Sequence, residues 1–283
     1  MQTNLKKRII TALMIYPLIV YPLLVFCILY SNDLVIRMIL NIIIFLSAFE
    51  VSKMCFYNNL YEDNNRKHYF FIALVFLSIL LSNILIKYNL WQYLIIAACL
   101  LWGFITIYIT NVKKIIILDR FSFIYMFIYI VILGSLYCSL YTLFLFSPEA
   151  LLFLISLVSL SDIAAFFVGK YFGRRPFFNI ISPNKTIEGF FGSVLAGSVL
   201  TIIYCIFQNY EFIFTMKILF LSVFVIFMSA IGDLSVSLVK RFSGNKDTGN
   251  ILPGHGGILD RVDSLLPAAP IFLIFSYFLS VII

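Results

Sequence analysis

Charged positions are so sparse along this chain that it divides into long apolar blocks separated by short polar interruptions. The blocks fall at about 9–30, 34–52, 69–86, 90–110, 124–146, 150–169, 187–207, 213–232 and 264–283. Each is close to the ~20 residues that cross a bilayer as a helix. The pattern therefore predicts an all-α, polytopic integral membrane protein with about nine transmembrane helices. The first block follows Lys6-Lys7-Arg8 and resembles a secretory leader. It is longer than a leader's apolar core and lacks a small-residue cleavage site, so it is read as a span. Tyr16-Pro17 and Tyr21-Pro22 would kink it, which a helix in lipid tolerates.

Composition agrees with the blocks. Of 283 residues, 63% are hydrophobic and 12% charged, and the mean hydropathy is +1.06. Soluble domains carry about 25% charged residues and about 45–50% apolar ones. The chain reads as a single integral membrane domain, 1–283. Cys27, Cys55, Cys99, Cys138 and Cys205 lie mostly inside apolar runs with no CxxC spacing, so they read as small hydrophobes.

The net charge of +7 changes the picture only through its distribution. With a cytoplasmic amino terminus, every basic residue except Arg37, Lys87 and Lys217 falls on the cytoplasmic side. This positive-inside bias sets the orientation and accounts for the charge without nucleic acid as a partner. No internal repeat or soluble appendage is evident.

Candidate chemistry is concentrated in 150–283; the spans of 1–149 carry few ionisable groups. Glu50 and Arg37 are exceptions, and both read as snorkelling or interface-anchoring side chains. Asp162 lies within an apolar run, where a carboxylate usually faces a polar cavity. The following loop carries Lys170, Arg174, Arg175 and Lys185, a set suited to phosphates. In "SPNKTIEG", Ser182 and Thr186 can cap a helix start, with Glu188 in its first turn. Capping suffices for Thr186, and positive-inside charge for Arg174. Asp162 and Lys185 together suggest function.

If the eighth span continues as a helix past Gly232, then Asp233, Ser237, Lys240 and Arg241 form one polar stripe. Such a stripe at the membrane boundary can hold a metal ion and an anionic substrate together. "KDTGNILPGHGGILDRVDS", Lys246–Ser264, follows. Its glycines exclude regular helix and let backbone N–H groups approach a phosphate. Asp260 and Asp263 recur at i, i+3 on the helix leading into the last span. Such hard oxygen ligands suit Mg²⁺, which usually takes one or two carboxylates and completes its shell with water and phosphates. His255 or a lone carboxylate here would read as structural; the combined set does not.

At these residues the chain resembles the phosphatidate cytidylyltransferases, also called CDP-diacylglycerol synthases. "SLVKRFSGNKDTGNILPGHGGILDRVD", Ser237–Asp263, fits that family's long signature, and "DIAAFFVGKYFGRR" with "SPNKTIEGFFGS" resembles its preceding motif. Phe166 stands where the family usually has Tyr. The resemblance covers about the last 130 residues; the first 150 match only in hydropathy and size.

The resemblance implies an enzyme of phospholipid biosynthesis that joins CTP and phosphatidic acid into CDP-diacylglycerol and pyrophosphate with Mg²⁺, a second metal ion being left open. By motif position, Asp233 and Asp260 would ligate metal, and Lys240, His255 and Asp263 would complete the catalytic set. Asp162, Ser182, Lys185, Ser237, Arg241, Lys246 and Arg261 are the expected substrate-binding residues. Residues 150–283 would then hold the catalytic spans and cytoplasmic loops. The expected setting is a bacterial plasma (inner) membrane with the site facing the cytoplasm, and a homodimer is left open.

Three other readings fit less well. An ion-coupled transporter usually shows repeated halves with interrupted helices at the midplane. A CTP-using transferase for an isoprenoid or archaeal-type lipid differs in acceptor. An alcohol phosphotransferase would show DGxxAR, which is absent.

Overall fold

The computed structural model describes residues 33–56, 65–112, 123–244, 248–249 and 257–280. Nine helices and one two-stranded hairpin are described: α1 (Asp33–Phe56), α2 (Asn65–Lys87), α3 (Trp91–Thr110), α4 (Phe123–Phe146), α5 (Pro148–Phe172), β1 (Pro176–Phe178), β2 (Ser182–Thr186), α6 (Ile187–Phe207), α7 (Phe212–Phe242), α8 (Leu259–Val262) and α9 (Leu265–Leu279). Eight stretches among the described residues are long and apolar enough to cross a membrane, α8 and α9 counting as one. The all-α polytopic class is therefore as expected. The predicted first span, at 9–30, lies outside the described residues.

Burial sorts the spans. In α4 and in Leu259–Leu279, 72% of the most apolar window is buried, against 22% in α2, α3 and α6. The first two are the centre of the bundle, and the others present side chains such as Leu77, Phe104 and Phe207 outward. An outward apolar surface of this extent is stable only against lipid. Inside, Trp91, Trp102, Tyr137, Phe71 and Phe272 are fully buried.

Several buried hydroxyls pair with backbone carbonyls, whereas those of Ser47, Thr142 and Ser222 have no hydrogen-bond partner among the described residues. Ser82 donates to Ser78 O within α2 at 2.8 Å and to Gly134 O of α4 at 3.2 Å, a way of pairing polar groups where water is absent. Cys99, Cys138 and Cys205 are free thiols, the last two buried, in keeping with small hydrophobes. Cys27 and the side chain of Cys55 lie outside the described residues.

Turns between spans have identifiable stops. Asn89 and Asn209 adopt φ of 56° and 55°, a left-handed conformation that Asn tolerates better than most residues. The next amide closes each helix end, Leu90 N–H onto Leu85 O at 2.7 Å and Tyr210 N–H onto Cys205 O at 3.1 Å. Arg37 pairs with Asp33 at 2.7 Å and lies 4.9 Å from the centre of the Tyr141 ring. Both partners of that pair are well exposed.

Two features set the site's position. α7 does not stop near 232 but runs 31 residues, roughly 46 Å at 1.5 Å per residue, longer than the ~30 Å hydrocarbon core. Its last turns thus carry the polar stripe beyond the apolar block. Gly232 then lets α7 touch the break between α8 and α9: a Cβ there would lie 2.4 Å from Asp263 O and 2.7 Å from Pro267 Cδ.

The hairpin lies at the same end. Its register pairs Pro176 with Thr186 and Phe178 with Ser182. Ser182, expected as a helix cap, instead opens β2, because the chain here pairs with β1 before α6 begins. Thr186 is the cap, accepting from Gly189 N–H at 3.1 Å. Glu188 accepts the Arg174 and Arg175 N–H groups at 3.0 and 3.2 Å and so closes the hairpin's base.

The orientation itself is checked by thiol labelling. Arg174→Cys, before β1, should react from the cytoplasmic side, and Glu211→Cys, in the α6–α7 turn, from the opposite side; the reverse result would invert the access route to the site.

Candidate active site

Four elements meet at the hairpin end of the bundle. β2 supplies Lys185, which forms an ion pair with Asp233 of α7. Ser237, one turn on, directs its hydroxyl at the other Asp233 oxygen at a long 3.4 Å. α5 supplies Asp162, which is exposed on one side. Asp162 lies close to Ser264 and feels the charges of Asp233 and Lys185. Between α8 and α9, buried Asp263 feels the charges of Asp233, Asp162 and Lys185. One Asp263 oxygen accepts Ser264 N–H at 2.8 Å.

Asp162, Lys185, Asp233 and Asp263 thus lie near one another at this end of the bundle. With all three carboxylates ionised near one ammonium, negative charge at a membrane boundary is unbalanced, which is costly away from bulk water. A divalent cation would balance it, and hard carboxylate oxygens are the donors Mg²⁺ takes. Among the described residues, no three acidic, histidine or cysteine side chains are close enough to hold one ion by themselves. The donor set therefore fits a cation whose shell is completed by water and phosphate oxygens, rather than a closed protein cage.

A second network adjoins the first. Lys240, two turns beyond Asp233 on α7, pairs with Asp260 Oδ1 at 2.8 Å, and both side chains are about six-sevenths buried (14% and 15% exposed). Asp260 Oδ2 accepts Thr248 N–H at 3.2 Å, Thr248 Oγ1–H at 2.9 Å and Gly257 N–H at 3.2 Å. Asp233 and Asp260, expected as metal ligands, lie in these two networks, each with its own lysine. Arg241 and Arg261 are exposed nearby, on the last turn of α7 and on α8. Lys246 and His255 lie outside the described residues.

Glu50 corrects a sequence expectation. It is no snorkelling side chain: it is 1% exposed. Its carboxylate accepts Ile258 N–H at 2.9 Å on Oε1, and Leu259 N–H at 2.8 Å and Thr248 Oγ1–H at 3.0 Å on Oε2. Its partners are some 200 residues away in sequence. The only local signal was a carboxylate within an apolar block. Ser264 and Thr248 were also missed, since a small hydroxyl beside charged residues carries little signal of its own.

Comparison with known proteins identifies the family. A model of the cytidylyltransferase family fits residues 6–279. A phosphatidate cytidylyltransferase from Haemophilus influenzae is 40% identical over 131 residues, covering 45% of this chain and 46% of that protein. One from Bacillus subtilis is 48% identical over 122 residues (42% of each chain). One from Helicobacter pylori is 43% identical over 139 residues, 48% of this chain and 50% of that protein. The chain spans about half the length of the curated relatives it matches. With the family model running from before α1 to the end of α9, the chain belongs to the cytidylyltransferase family.

Proposed function

We propose that the protein is a phosphatidate cytidylyltransferase of a bacterial plasma membrane, transferring CMP from CTP to phosphatidate. The observation that carries this reading is the convergence of Lys185, Asp233, Asp162 and Asp263 beside the Lys240–Asp260 pair. The names of the matched relatives point the same way.

The chemistry joins two anions. A phosphatidate oxygen forms a bond to the α-phosphorus of CTP, the α–β anhydride bond breaks, and pyrophosphate leaves. The attacking oxygen is already ionised, so no strong general base is needed. Asp233 would hold Mg²⁺ together with water and phosphate oxygens, with Asp260 the second expected ligand. When bound, Mg²⁺ supplies charge neutralisation at the attacked phosphorus and the leaving group.

Lys185 and Lys240 are held in place by carboxylates, so that their charge is already positioned when substrate phosphates enter. Holding the cations before substrate arrives removes reorganisation from the reaction. The position at the end of the spans lets a water-soluble nucleotide meet a lipid headgroup.

Purified protein incubated with labelled CTP and a panel of lipid phosphates tests the acceptor. Label should enter CDP-diacylglycerol with phosphatidate, and chelation of divalent ions should stop it. Preferred labelling of an isoprenoid phosphate would replace this reading with that of another CTP-using transferase.

A further inference from the structure

We infer that Glu50 is a positioning residue for the reaction: from the N-terminal half of the chain it fixes the segment that carries Thr248 and Asp260. The inference rests on the function proposed above for its effect on turnover, and on geometry alone for its effect on the loop. The Glu50 carboxylate, almost wholly buried, is filled by three donors, Ile258 N–H, Leu259 N–H and the Thr248 hydroxyl.

The Thr248 hydroxyl also lies 2.9 Å from Asp260 Oδ2. It therefore bridges two carboxylates with one proton to give. Asp260 in turn holds Lys240. A continuous chain of contacts thus runs from α1 through Thr248 and Asp260 to Lys240 on α7.

Two glycines of the loop are explained by the same carboxylate. A Cβ on Gly249 would lie 2.8 Å from Glu50 Oε1. A Cβ on Gly257 would lie 2.4 Å from Glu50 Oε2 and 2.0 Å from Thr248 Oγ1. Both contacts are closer than real Cβ atoms come, so the backbone can wrap around Glu50 only without side chains there. The close approach these two glycines permit is to a protein carboxylate.

Alanine at position 50 leaves the Ile258 and Leu259 amides without acceptors, which is the costly half of losing a hydrogen bond. The 257–259 segment then loosens, and Asp260 and Lys240 lose their fixed geometry. The Glu50 carboxylate is buried and occupied by protein donors, so the defect should appear in the catalytic rate.

The test compares wild type with Glu50→Gln, Glu50→Ala and Thr248→Val in the full-length membrane protein. Two readouts are needed: amide hydrogen exchange over residues 257–262, and turnover per folded molecule with CTP and phosphatidate. In Glu50→Ala, exchange at Ile258 and Leu259 should rise at least tenfold while α6 stays protected. The kcat should fall at least tenfold, with KM for CTP changing less than threefold.

Glu50→Gln keeps the shape and one acceptor oxygen and should fall between, on both readouts. Thr248→Val should lower kcat while leaving exchange at 258–259 near wild type, because it cuts the bridge to Asp260 but not the amide contacts. Wild-type exchange and kcat in a folded Glu50→Gln or Glu50→Ala protein would overturn the inference. So would lower protein yield with unchanged kcat per folded molecule, which is what a purely structural role gives. The exchange readout needs no substrate. A wild type that makes no CDP-diacylglycerol would therefore overturn the function, while the exchange comparison would still decide the role of Glu50 in the loop.

Discussion

Asp233→Asn should lower CDP-diacylglycerol synthesis by about a thousandfold, which corresponds to ~4 kcal/mol of lost transition-state stabilisation. Asp233 is the residue on which the first network turns: it pairs with Lys185, and both Asp162 and Asp263 feel its charge. Asparagine keeps the shape but releases Lys185 and removes a carboxylate from the proposed metal donors. The protein should still insert and fold, because Asp233 is only half-buried and its helix is held by Leu234, Val236 and Leu238. Exchange over residues 257–262 should remain as in wild type. Initial rates in membranes matched for protein amount check this, with Mg²⁺ varied. Partial recovery at high Mg²⁺ would identify weakened metal affinity as the fault.

Asp260→Asn should be as damaging to turnover, again about a thousandfold, but by a different route. One Asp260 oxygen pairs with Lys240 and the other accepts three donors. An amide in that place turns a donor toward either an ammonium or backbone N–H groups. Lys240, only 14% exposed, then loses its counter-ion, and breaking a buried pair from one side is strongly unfavourable. Exchange at Gly257 should therefore rise in this variant and not in Asp233→Asn. A correctly inserted Asp260→Asn protein with near-normal synthesis would return Asp260 to a structural role.

Hydropathy located the described spans to within a few residues because lipid imposes one length and one composition on every crossing. It placed the end of α7 near 232 although the helix reaches Phe242. Asp233, Ser237, Lys240 and Arg241 lower the average there, while Leu234, Val236, Leu238, Val239 and Phe242 keep the opposite face buried. The stripe itself was legible from helical spacing. The hairpin was not, since its strands have three and five residues and its base is closed by Glu188 from the next helix.

The last crossing was placed from 264, whereas helix begins at Leu259 and breaks at Asp263-Ser264. That break brings Asp263 against Gly232 of α7. Glu50 was legible only as a carboxylate in an apolar block. Its purpose depends on amides some 200 residues away, and no local pattern encodes such a contact.

The central claim is that the networks around Asp233 and Asp260 serve CMP transfer to a lipid phosphate. Its most direct test follows the two ends of the nucleotide: purified protein is given phosphatidate with CTP labelled either on the α-phosphate or on the γ-phosphate. The account predicts that α-label enters the lipid product and γ-label leaves as pyrophosphate, with both transfers lost in Asp233→Asn. Entry of γ-label into the lipid, or α-label remaining wholly in water-soluble products while γ-label is released, would contradict it.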